Sequence, residues 1–156
     1  MRIPQSLSGD GRLYLHDLTV GQRFTTRSHT LTKEEIVAFA RLYDPQGFHL
    51  DEAEAENSLF EGLAASGWHT AAISMRLLVE SGPRLAGGLV GTSGELSWPR
   101  PTRPGDTLHV ETEVLEIRPS QSKPDRGIVA VRNLTLKQNG DVAQSFAVRL
   151  LVPQKP

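Results

Sequence analysis

Cysteine is missing from all 156 residues. That excludes disulfides, thiolate nucleophiles and cysteine-held zinc, and it agrees with the reducing cytoplasm taken here as the expected location. Long apolar runs are missing too. No stretch approaches the roughly 20 residues that span a bilayer, and Met1-Arg-Ile-Pro-Gln-Ser6 lacks the apolar centre of a signal peptide, so no membrane partner is expected. Charge of one sign is not in excess. A net charge of -1 gives no global field to gather nucleic acid, and none is expected as a partner. Arg100, Arg103, Arg118, Lys123 and Arg126 do fall in one part of the chain. They read as solvated surface, with contact to the phosphates of a nucleotide-bearing ligand as the alternative. No histidine pair has metal-site spacing, and HExxH, GxGxxG, P-loop and GxSxG motifs are all absent. No metal and no separate cofactor are therefore expected.

What is present reads as one α+β domain over residues 17–153, preceded by a polar, Gly-containing arm over residues 1–16. Residues 23–31 are β-branched and read as a strand. Thr32 and Glu35 have capping-box spacing, and Ile36, Val37, Phe39, Ala40 and Tyr43 follow at helical period. Pro45 ends that helix near Asp44. Asp51 is a good N-cap for a short helix through Asn57. Trp68–Glu80 is apolar on most faces and reads as a buried helix wrapped by a curved sheet, with Gly67 before it and Gly82-Pro83 after it. Strands are expected over 89–98, 107–118, 127–138 and 142–152, the last two joined at Asn139-Gly140. On the final strand Val142, Gln144, Phe146, Val148 and Leu150 share one face.

One stretch carries acid/base chemistry: Tyr43-Asp-Pro-Gln-Gly-Phe-His-Leu-Asp51. A loop bent at Pro45 and Gly47 can aim the Asp44 carboxylate and the His49 imidazole into one pocket. Such a pair can hold a water and move two protons, as adding or removing water across a double bond requires. Taken alone, Asp44 and His49 read more readily as a helix-ending turn with a solvated histidine. Gly67 supplies an electrophilic element, because the first amides of a helix lack intrahelical partners and can stabilise an oxyanion. A glycine there also permits close approach of a ligand, or simply lets the chain turn, with Ser66 as its cap. His69 borders the pocket on this reading, and His16, His29 and His109 read as structural or exposed.

These residues resemble the MaoC-like dehydratases, relatives of the (R)-specific enoyl-CoA hydratases. The family motif Asp-x-Asn-Pro-x-His-x-Asp stands here as Asp44-Pro-Gln-Gly-Phe-His49-Leu-Asp51. Phe60-Glu-Gly-Leu-Ala-Ala-Ser-Gly67 matches the approach to the family's central helix, and Leu96-Ser-Trp-Pro-Arg-Pro-Thr-Arg-Pro-Gly-Asp106 matches the strand and turn after it. The resemblance spans residues 17–152. It implies a hot-dog fold, with Asp44 and His49 catalytic and Gly67, Ser66 and Gln46 at the oxyanion and substrate positions. The implied substrate is an acyl-CoA thioester, with coenzyme A part of the substrate. The implied reaction is reversible hydration of a 2-enoyl-CoA, with either residue of the pair as base. It also implies at least a homodimer, which would close the sheet edges and the pocket. Gln46 and Gly47 replace the motif's Asn and Pro.

Two other readings remain. One is a mesaconyl-CoA-type hydratase acting on a substituted or dicarboxylic thioester, for which Arg76 and Arg84 are the helix-region cations. The other is a non-catalytic acyl-CoA-binding hot-dog protein, kept open by Gln46 and Gly47.

Overall fold

A computed structural model describes residues 10–156. Its strands are β1 (Arg23–Thr25), β2 (His29–Thr30), β3 (Gly91–Ser97), β4 (Thr107–Pro119), β5 (Arg126–Leu136) and β6 (Val142–Pro153), and its helices are α1 (Lys33–Tyr43), α2 (Glu52–Glu56) and α3 (Gly67–Ser81). The strands form one antiparallel sheet in the order β1-β4-β5-β6-β3, with β2 also on β4. The result is the α+β arrangement expected, a sheet curved against one long helix.

Local chemistry explains the boundaries. Thr32 Oγ1 accepts the Glu35 amide and Glu35 accepts the Thr32 amide, the reciprocal bonds of a capping box. Asp44 caps the other end of α1, where Pro45 forbids another helical turn. Asp51 accepts the Glu54 amide to open α2. The β5–β6 hairpin turns at Asn139-Gly140, with Gly140 at φ 88°, a left-handed conformation in which glycine has no steric penalty.

Three expectations need correction. The strand over 23–31 is broken in two, because the Thr26 hydroxyl takes the Val110 amide and interrupts the ladder. A bulge between β5 and β6 leaves Ala143 and Gln144 both buried and puts Val142 out of the inward row. Finally, α3 is buried on one side only. Thr70, Ile73, Ser74, Leu77 and Leu78 face the sheet, whereas Trp68, Met75 and Val79 are exposed, Val79 by 65%. Trp68 and Val79 lie on the face turned away from the sheet, and Met75, 42% exposed, stands at the border between the two faces.

Part of the expected arm is packed. Leu13 bridges Leu85, and Leu15 is buried against the β4–β6 side of the core. Residues 1–9 of that arm lie outside the described residues. Among the described residues, no helix is long and apolar enough to cross a membrane.

A polar bracket holds the loops around the head of α3. Arg103 was expected at the surface; instead its guanidinium donates to the carbonyls of Phe60, Gly62 and Leu63, fixing the chain that leads into the helix. Buried Asp106 accepts the Arg103 amide at 2.7 Å and the Gln138 side chain at 2.9 Å, and it pairs with Lys137 at 2.8 Å. Lys137 also donates to Pro101 O. Burial raises the Asp106 pKa, but the bonds from Lys137, Gln138 and Arg103 outweigh it and leave the value lowered. A carboxylate with a lowered folded pKa stabilises the fold above the ordinary aspartate range. That contribution is lost as pH falls through the lowered value. The Asp106→Asn protein should therefore lose about 3 kcal/mol at neutral pH in urea unfolding, because Lys137 is left without its partner. Its stability should also fall less steeply than the parent's on acidification.

Candidate active site

Asp44 stands at the C-terminal end of α1 and Ser66 at the N-terminal end of α3, so the site forms where two helix ends meet. Gln46-Gly47-Phe48-His49 follows Asp44 as a tight turn leading toward α2, with the His49 amide donating to Gln46 O. His49 is 4% exposed, and its Nδ1 lies 2.6 Å from Ala64 O. A carbonyl only accepts, so Nδ1 carries a proton and Nε2 is the nitrogen left for chemistry. Nε2 lies 3.2 Å from Asp44 Oδ2.

Asp44 collects three polar partners. Ser66 Oγ donates to Oδ2 at 2.7 Å, Gln46 Nε2 donates to Oδ1 at 2.7 Å, and His49 faces Oδ2. Partial burial raises the Asp44 pKa, yet the bonds from Ser66 and Gln46 and the charge of His49 together bring it below the usual aspartate value. Asp44 is therefore ionised at neutral pH. Gln46 still reaches the carboxylate despite its extra methylene. At Gly47 the tip of the exposed Glu54 side chain lies where a Cβ would be, so a larger residue there would have to displace only that carboxyl group.

Ser66 Oγ also accepts the Trp68 amide, and Ser66 O accepts the amides of His69 and Thr70. The Gly67 amide has no acceptor among the described residues. Asp44, Gln46, His49 and Gly67 line one cleft of about 380 Å³. Ser66 does not line it and acts through Asp44.

The close approach at Gly67 is made by protein, not by space left for a ligand. A Cβ there would lie 2.6 Å from Trp98 Cε2, so the indole rests on the glycine itself. Trp98, Thr70, Thr102, Arg100, Phe48 and Phe60 also line the cleft, beside Ala65, Trp68 and Pro101. Phe48 belongs to the Asp–His motif, and Phe60, Trp98, Arg100 and Thr102 fall in the two other segments that carry the family resemblance, although none of these five was singled out there as a site residue.

His69 is not among the lining residues. It stacks on Phe39 of α1 with ring centroids 4.5 Å apart, and its buried Nδ1 has no partner. Burial lowers its pKa, with a smaller opposing effect from Glu35. His16, His29 and His109 lie beside Asp17, Glu35 and Glu111, the structural and surface positions expected. Arg118 and Arg126 pair with Glu116 and Asp125. Among the described residues no cluster of His, Asp and Glu is arranged to hold a metal.

Comparison with known proteins shows what the whole chain is similar to. A family model described as "MaoC like domain" matches residues 17–136. The chain is similar to the crystal structure of a MaoC-like dehydratase from Rhodospirillum rubrum, at 58% identity and a TM-score of 0.91, covering 92% of this chain and 99% of that one. It is 33% identical over 113 residues to a 3-hydroxybutyryl-CoA dehydratase from Methylorubrum extorquens, covering 71% of this chain and 69% of that enzyme. It is also similar to the (R)-hydratase from A. caviae involved in PHA biosynthesis, at 30% identity and a TM-score of 0.67, covering 89% of this chain and 98% of that one.

The Ser66→Ala protein tests how the carboxylate is held. Removing a donor to the charged form raises a carboxyl pKa, so ¹³C NMR titration should place Asp44 higher in the variant than in the parent. Loss of the α3 cap should cost about 1 kcal/mol besides. An unchanged Asp44 titration would show that Ser66 caps the helix and does nothing else.

Proposed function

This chain belongs to the MaoC-like dehydratase family, a family of hydro-lyases, and we propose that it reversibly hydrates 2-enoyl-CoA thioesters to 3-hydroxyacyl-CoA. The observation that carries this reading is the 3.2 Å pairing of Asp44 with His49 in the cleft that Gly67 also lines.

On this reading the thioester oxygen accepts a hydrogen bond from the free Gly67 amide at the positive end of α3. Charge flowing onto that oxygen makes C3 electrophilic. Water held by Asp44 and His49 gives up a proton to the pair as its oxygen bonds to C3. The pair returns a proton to C2, so one water is added and both residues end as they began. The carboxylate accepts, while Nε2 of His49 accepts as imidazole and donates as imidazolium. The roles of base and acid belong to the pair rather than to either residue. Ser66 and Gln46 position Asp44 by occupying its other lone pairs.

A second reading, a thioester whose acyl group bears its own carboxylate, is favoured by Arg100. It lines the cleft and has no ion-pair partner among the described residues. Arg76 and Arg84 do not line the cleft, and Arg76 pairs with Glu80. The intact pair argues against a purely acyl-CoA-binding role. A homodimer is also proposed. The edge strand β3 is exposed along nearly its whole length, and α3 exposes Trp68, Met75 and Val79, surface that a second copy would cover.

Asp44→Asn and His49→Ala should each lower the hydration of crotonyl-CoA, followed by the loss of enoyl-thioester absorbance, by about 100-fold or more, with circular dichroism unchanged. A parent protein inert on crotonyl-, longer enoyl- and mesaconyl-CoA would end this reading. Faster turnover of mesaconyl-CoA than crotonyl-CoA, abolished by Arg100→Ala, would select the second. Sedimentation equilibrium should give a particle of two 17.1 kDa chains.

A further inference from the structure

A second cavity, of about 220 Å³, lies between the later turns of α3 and the inner face of the sheet. Its walls are mostly apolar, with Met75 and Leu78 on the helix side and Phe146, Val148 and Leu150 on β6. The cleft at Asp44 and His49 is lined by the first turn of the same helix, at Gly67 and Thr70. The two spaces share no lining residue.

A row of buried polar side chains separates them. Ser74, one turn beyond Thr70, is hydrogen-bonded to Thr135 Oγ1 at 2.6 Å. Thr135 pairs across the sheet with Gln144, and Gln144 Oε1 accepts Trp98 Nε1–H at 3.0 Å. The strand period gives the order. On β6, Leu150, Val148 and Phe146 face the apolar cavity, and Gln144 is the next inward position toward the cleft. On β5, Val131 and Asn133 face the cavity, and Thr135 is next. Ser74, Thr135 and Gln144 are buried, whereas Trp98 is 40% exposed and lines the cleft. Of this row, only the indole has open space to move into.

The geometry points to Trp98 as the residue that sets acyl-chain length. Seated on Gly67 and bonded to Gln144, its indole covers the cleft side of the Ser74–Thr135–Gln144 row and holds Gln144 in place. The site then takes short acyl groups; with the indole removed, Gln144 loses its partner and can swing into the vacated space, which opens the row and makes the cavity available to longer ones. Moving it in the parent would leave the buried Gln144 oxygen without a donor, which is costly, so the barrier stays shut. This role rests on the thioester reading above.

The test compares kcat/KM for crotonyl-CoA, trans-2-octenoyl-CoA and trans-2-dodecenoyl-CoA in the parent, Trp98→Ala and Trp98→Phe. Calorimetric binding of butyryl-CoA and octanoyl-CoA is measured beside it. The parent should prefer crotonyl-CoA. Trp98→Ala should raise the octenoyl-to-crotonyl ratio by about 10-fold or more and move the two Kd values in the same sense. Trp98→Phe, which keeps a ring but loses the N–H, should shift both ratios less, and it carries the test alone if the alanine variant does not fold. A parent that already prefers dodecenoyl-CoA, or variant ratios equal to the parent's, overturns the assignment. If all three enoyl-CoAs are inert while the Kd ratio still shifts, the hydratase reading falls and the chain-length role of Trp98 stands.

Discussion

The hydrogen bond from Ser66 Oγ to Asp44 Oδ2 joins the C-cap of one helix to the N-cap of another, and the site depends on it. A carboxylate at the C-terminal end of α1 faces the negative end of that helix dipole, which disfavours its charge. The same carboxylate, tied to the N-cap of α3, faces a positive end, and Ser66 adds a charge-assisted bond. The second helix thus offsets the first. His49 completes the unit from the turn between them. Its outer nitrogen is spent on Ala64 O, in the segment that enters α3, so the same stretch orients both members of the pair.

That stretch is held from outside by Arg103 and Asp106. Three carbonyls on the approach to α3 receive the guanidinium, and the Arg103 amide itself is held by Asp106. Lys137 extends the bracket to Pro101, on the opposite wall of the cleft. A charge that looks like surface in the sequence is here a backbone clamp. Arginine suits the task because its planar fork offers several donors to acceptors fixed in place.

Much of this was legible from residues alone. Helix ends were marked by short-range chemistry: Thr32 with Glu35, Asp44 before Pro45, and Asp51. On β4, Leu108, Val110, Thr112 and Val114 alternate with more polar neighbours, and all four are buried. The Asp44–His49 pair and the unengaged Gly67 amide followed from loop and helix-end rules. What was not legible was decided at long range. The break at Thr26 depends on a hydroxyl reaching Val110, and the displacement of Val142 depends on a bulge against β5. The open face of α3 reflects how far one sheet can wrap, which its uniformly apolar sequence cannot express. His69 lies next to the pocket in sequence but turns to stack on Phe39, because its place on the helix faces α1.

Gly67 shows how one residue can answer two demands. An amide at the head of a helix needs an open approach for an acceptor, and the turn alone would tolerate other residues. The stricter requirement comes from the other side of the same Cα, where the Trp98 indole lies closer than any side chain would allow. The glycine therefore leaves the amide free on one side and seats an aromatic wall on the other. Trp98 is fixed in turn by Gln144, a polar residue in a row otherwise apolar from Phe146 to Leu150. A valine or leucine at position 144 would pack as well against the core but would give the indole N–H no acceptor. The buried amide is best understood through its partner: it holds one wall of the cleft at a fixed distance from the pair that Ser66 and Ala64 hold on the other side.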